Sequence, residues 1–140
     1  MNLRRIAAAA IGLAAIAAGV IVAPSPAMAA TKWDLTGTGG DKVGAWARGS
    51  YWWGGDGRLY VKVVLRDTVA NKKDARVYLR AYYTHGDPRE EVLKNSQGSG
   101  DDVTMTWDFR GDIYYIEGQE CIDNAVSAIS CASYGTIYPQ

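Results

Sequence analysis

Residues 58–66 alternate between apolar and polar side chains. Leu59, Val61, Val63 and Leu65 fall on one side. Arg58, Tyr60, Lys62 and Arg66 fall on the other, with Val64 the one apolar residue among them. Residues 75–84 repeat the pattern: Ala75, Val77, Leu79, Ala81 and Tyr83 oppose Arg76, Tyr78, Arg80, Tyr82 and Thr84. Residues 102–109 do so again, with Val103, Met105, Trp107 and Phe109 against Asp102, Thr104, Thr106 and Asp108. A period of two sends successive side chains to opposite faces of a strand. Each segment therefore predicts a strand with one buried and one wet face, as in an antiparallel sheet. Weaker patterns predict strands over 41–53, 113–120 and 133–138. Gly49, inside the first of these, suggests a β-bulge.

The connections support this reading. Gly54-Gly55-Asp56-Gly57 is a tight hairpin signal. Residues 67–74 form a longer loop, and Gln97-Gly98-Ser99-Gly100-Asp101 a flexible turn. Asp87-Pro88-Arg89-Glu90 reads as a helix start, yet only four residues follow before Asn95-Ser96. Residues 90–94 thus read as an edge strand, with a single helical turn as the alternative. Six to seven short strands predict an all-β fold, a small antiparallel β-sandwich, with an open barrel as the alternative. The expected core is Leu59, Val61, Val63, Leu65, Val77, Leu79, Val103, Met105 and Trp107.

The first 29 residues differ from the rest. Arg4 and Arg5 precede an apolar run from Ile6 to Ala23, and Pro24-Ser25-Pro26 ends it. Ala27-Met28-Ala29 then matches a small-x-small cleavage site. The expectation is a signal peptide over 1–29 and a secreted, extracellular domain over 30–140, with no membrane association after cleavage. Residues 30–140 hold 13 Lys+Arg against 15 Asp+Glu, a net charge of −2, and all 15 aromatic residues. That balance argues against nucleic-acid binding through bulk charge. In an oxidising compartment Cys121 and Cys131, the only two cysteines, should form a disulfide.

An Ala-rich export signal stands before a Trp/Tyr-rich domain of 111 residues. The Gly98-Ser99-Gly100 turn leads into an alternating strand, and Cys121…Cys131 precedes an aromatic strand ending Ile137-Tyr138-Pro139. Together these resemble the small secreted β-rich proteins common in actinobacteria. The resemblance implies secretion and the fold class. It implies no activity and no site residue.

Catalytic and metal chemistry find little support. The sole histidine, His85, sits in a turn, and no G-x-S-x-G nucleophile motif accompanies it. A carboxylate glycosidase needs two acids flanking a cleft, which so small a sandwich has few loops to build. Asp101 with Asp102, or Asp108 with Asp112, could offer oxygens to calcium but match no ordered loop motif. The expectation is a protein without catalytic residues, metal or cofactor. The consecutive pairs Trp52-Trp53, Tyr82-Tyr83 and Tyr114-Tyr115 should each send one ring outward. Such rings either stack on sugars or pack against cross-strand neighbours.

One surface is singled out. If the strands over 58–66 and 75–84 pair as sequential neighbours, their outward residues share one face. Arg58, Tyr60, Lys62, Arg66, Arg76, Tyr78, Arg80 and Tyr82 would place five cations and three tyrosines there. Asp102 or Asp108 from a neighbouring strand could neutralise it. The expected function is a secreted, non-catalytic binding module for an anionic polymer or glycan. The alternatives are a structural or interaction protein of the cell envelope and, further off, a small hydrolase or enzyme inhibitor.

Overall fold

The computed structural model describes residues 28–124 and 128–139. The signal-peptide reading, residues 1–27 above all, lies outside the described residues. The described chain is all-β. Its strands are β1 (Thr31–Asp34), β2 (Ala45–Trp53), β3 (Leu59–Asp67), β4 (Asp74–Tyr83), β5 (Arg89–Asn95), β6 (Asp102–Phe109), β7 (Ile113–Asp123), β8 (Ser130–Cys131) and β9 (Gly135–Tyr138). All seven strands expected from the sequence are present, and the short β1 and β8 join them. Residues 89–95 take the strand alternative.

Two antiparallel sheets form. One has the order β1-β2-β3-β6; the other runs β5-β4-β7-β8, with β9 also on β7. Their inner faces enclose a core built from Leu59, Val61, Val63 and Leu65 of β3 and Ala75, Val77, Leu79 and Ala81 of β4, all fully buried. Trp33, Leu35, Phe109, Ile116 and Ile137 are among the other residues buried in it. Cys121 and Cys131, cross-strand partners on β7 and β8, are joined by a disulfide.

The expected pairing of β3 with β4 is corrected. β3 lies between β2 and β6, and β4 between β5 and β7. Both strands carry an unbroken apolar inner face, so they bury more surface stacked across the core than side by side. The loop between them makes the crossing, with Lys72 at φ 59°. Met105 is a second correction. It pairs with Val63 and shares its face, yet it is 44% exposed. β6 is the sheet's edge, and the facing sheet does not reach far enough to cover it. Val103 and Trp107 are half-buried for the same reason.

Gly49 marks no bulge, since the β2–β3 register runs unbroken from Ala45↔Asp67 to Trp53↔Leu59. It marks a close approach instead. A Cβ there would lie 1.8 Å from the Lys62 carbonyl oxygen and 3.0 Å from the Trp33 ring. A register shift does occur where Tyr82 pairs with Tyr115 but Tyr83 with Ile113. The extra residue, Tyr114, leaves both Tyr114 and Tyr115 near the outward Tyr82 ring, so this pair does not split between faces.

β2 begins at Ala45 rather than at 41 because the preceding loop is used otherwise. It folds back on β7: Glu120 N–H donates to the Gly40 carbonyl at 2.9 Å, and Lys42 N–H donates to the Glu120 carboxylate at 2.8 Å.

Candidate functional site

The eight residues of the expected basic face divide between two opposite outer faces. Arg58, Tyr60, Lys62 and Arg66 lie on the β1-β2-β3-β6 sheet; Arg76, Tyr78, Arg80 and Tyr82 lie on the other. Acids have claimed most of the cations. Arg58 pairs with Asp108 at 2.5 Å. Arg66 forks onto Asp102 at 2.8 and 3.0 Å, and Arg48 reaches the same carboxylate at 3.0 Å. Hydrogen bonds from Arg66 hold the Asp102 carboxyl below its ordinary range. On the opposite face Arg76 pairs with Asp123, and Arg80 with Glu90 at 3.1 Å and Glu117 at 3.9 Å. Tyr82 donates to Glu117 at 2.7 Å, which raises its phenol pKa. Among the described residues, Lys62 is the one cation of the set without an acid within 4 Å.

Lys62 borders a depression of about 500 Å³ lined by Lys32, Trp33, Asp34, Arg48, Gly49, Ser50, Lys62 and Val64. Strand register explains its shape. Lys32, Ser50 and Lys62 form one cross-strand row, and Asp34, Arg48 and Val64 the next. The floor is low because the outward side chains Ser50 and Val64 are short beside Lys32, Arg48 and Lys62. Lys32, like Lys62, has no acid within 4 Å among the described residues. Two ammonium groups therefore flank a serine hydroxyl, with Thr106 of β6 extending the row beyond Lys62.

Aromatic rings stand on the cross-strand rows beyond both ends. Trp52 and Tyr60, directly paired, stack with centroids 5.7 Å apart and planes 11° apart. The Tyr60 hydroxyl donates to Asp56 at 2.8 Å, which raises its pKa and anchors the ring on the β2–β3 hairpin. In the other direction Trp46 donates its indole N–H to Asp34 at 3.1 Å, while the Arg48 guanidinium lies 3.7 Å from its ring centroid. Burial opposes ionisation of Asp34, but hydrogen bonds from Thr36 and Trp46 hold its pKa below the ordinary value. Asp34 thus answers Trp46, and Arg48 answers Asp102. Neither Lys32 nor Lys62 takes part in these pairings.

Lys32, Asp34, Arg48 and Ser50 escape the sequence reading. Thr31-Lys32-Trp33-Asp34-Leu35 does carry a period-two signal, Trp33 and Leu35 inward against Lys32 and Asp34 outward, but over only two repeats. His85 is exposed in its turn, and its carbonyl accepts from Arg110 at 2.6 Å. Asp102 and Asp108 are paired with arginines, and Arg110 lies 3.1 Å from Asp112. No group of three metal-ligating side chains occurs among the described residues.

Comparison with protein-family models, curated proteins and solved structures finds no match to this chain.

Proposed function

We propose that the protein is an exported, non-catalytic binding module whose ligand is an acidic polysaccharide, taken on the outer face of the β1-β2-β3-β6 sheet. One observation carries the reading: Lys32 and Lys62 flank Ser50 across a depression between two aromatic stations, while the neighbouring arginines are engaged with acids. Ammonium groups without internal partners suit carboxylate or sulfate groups. Rings on the rows to either side suit the apolar faces of pyranose sugars, with Ser50 as a hydrogen-bonding group between them. With near-neutral overall charge, attraction is local and screened beyond about 8 Å at physiological salt. Export rests on the Arg4-Arg5 and Ala27-Met28-Ala29 segment, on the resemblance to secreted β-rich proteins, and on the compatibility of a disulfide with an oxidising compartment.

The test is calorimetry against polygalacturonate and a neutral glucan at rising salt. The expected result is salt-sensitive binding to the acidic polymer, weakened at least tenfold in Lys32→Ala/Lys62→Ala and unchanged in Arg76→Ala/Arg80→Ala on the opposite face. Equal affinity in both variants would overturn the assignment of the face, and no binding to either polymer would overturn the ligand class. Intact mass of secreted protein checks export, with a chain beginning at Ala30 expected.

A further inference from the structure

The sandwich has open sheet edges, and they are guarded unequally. An open edge presents unpaired backbone N–H and C=O groups that can template another strand. β1 is four residues long and carries Lys32. β5 carries Arg89, Glu90, Glu91 and Lys94 along its seven residues. β6 is eight residues long, pairs only with β3, and has neither lysine, proline nor bulge. Its middle is exposed, and Met105 there is an apolar side chain that the sandwich leaves uncovered.

The β6 sequence reads almost alike in both directions about that methionine: Asp102-Val103-Thr104-Met105-Thr106-Trp107-Asp108. We propose that β6 pairs antiparallel with β6 of a second copy of this chain, on a two-fold axis through Met105. In that register Met105 opposes Met105, Thr104 opposes Thr106, and Val103 opposes Trp107. Threonine pairs and pairs of an aromatic with a β-branched residue are favourable across antiparallel strands. Each contact occurs twice, as an isologous interface requires. The same register serves whichever alternate set of backbone groups faces the open edge, because the axis crosses the strand at a residue.

The charges at the ends fit this occupant. Asp102 would oppose Asp108 of the other copy, a repulsive pair if both were bare. Neither is bare. Arg48 and Arg66 hold Asp102, and Arg58 holds Asp108. Each end of the seam therefore joins two acids to three arginines, so arginines of one copy face an acid of the other. Arg89 donates to the Asp108 carbonyl at 2.8 Å and leaves the stretch from Asp102 to Trp107 open. The dimer is one continuous sheet of eight strands, and both outer faces lie on the same side of it. This pairing stands without any ligand. Should the face bind a polymer, the dimer presents two such sites to one chain.

The test is sedimentation equilibrium of the purified protein without ligand, over a wide concentration range. A monomer–dimer equilibrium is expected, with dissociation constants raised at least tenfold in Met105→Lys and in Thr104→Lys at unchanged circular dichroism. Cysteine variants check the register. Under mild oxidation Met105→Cys should cross-link to a covalent dimer at least tenfold faster than Val103→Cys, whose counterpart would sit opposite Trp107. A wild-type chain that stays monomeric throughout, a dimer indifferent to Met105→Lys, or equal cross-linking at 103 and 105 would each overturn the proposal.

Discussion

The carboxylate of Glu120, on β7 of one sheet, accepts the backbone N–H of Ala47, on β2 of the other, at 2.6 Å. Its second oxygen takes the Lys42 N–H at 2.8 Å, so one fully buried side chain pins the β1–β2 loop and joins the two sheets. Burial drives its pKa up to about 7, against these two hydrogen bonds, which favour the charged form; Asp41 and Asp34 push it the same way as burial.

Stability should therefore fall as pH rises from about 4.5 to about 7. In that window the folded chain holds the Glu120 proton and the unfolded chain has lost it. A shift of this size corresponds to roughly 3 kcal/mol. Asp74 and Asp102, held low mainly by hydrogen bonds from Lys94 and Arg66, act in the opposite sense, and their contribution is lost as pH falls below their ordinary value of 3.8. Urea denaturation across pH should show greatest stability in mild acid. Glu120→Gln should be less stable at every pH, because its amide N–H₂ meets a backbone donor, and should lose the decline between pH 4.5 and 7.

Removing the disulfide should destabilise the fold by about 3 kcal/mol, the chain-entropy value for closing a loop of this length. The bond joins residues ten apart. The check is the denaturation midpoint of Cys121→Ser/Cys131→Ser against wild type, with an unchanged far-ultraviolet β spectrum expected below the transition.

Two apolar residues of similar size should respond very differently to truncation. Leu79 is fully buried, and Leu79→Ala should cost about 2–5 kcal/mol. Met105, 44% exposed, should lose less than about 1 kcal/mol in Met105→Ala. Guanidinium unfolding of both, at concentrations where the chain is monomeric, measures the difference. Comparable losses would mean that Met105 is buried within the monomer itself.

Gly49→Ala should be as damaging as a core truncation, although it adds only a methyl group. The new Cβ would meet the Lys62 carbonyl at 1.8 Å, so β2 and β3 must separate locally. A loss of about 1–3 kcal/mol, the range for overpacking, is expected. Amide exchange should quicken at residues 49–51 and 61–63 in particular.

Period-two alternation in residues 58–66, 75–84 and 102–109 was enough to determine the strands, their inner faces and the all-β class. The reason is local: a pleated strand must send neighbouring side chains to opposite sides, whatever it packs against. The lone cysteine pair was legible in the same way, because two cysteines allow one bridge. Which strands share a sheet was decided only by the tertiary structure. β3 and β4 each satisfy the alternation rule equally well side by side or stacked, and the area buried by two apolar faces chose stacking. That choice split the arginine–tyrosine set between two outer faces. It also brought Asp102 and Asp108 beside Arg66 and Arg58, and left Lys32 and Lys62 without an acid. The same three-dimensional arrangement put Met105 at an edge that the facing sheet does not cover. Charge pairing and edge exposure depend on neighbours distant in the chain, so no pattern along the sequence could have settled them.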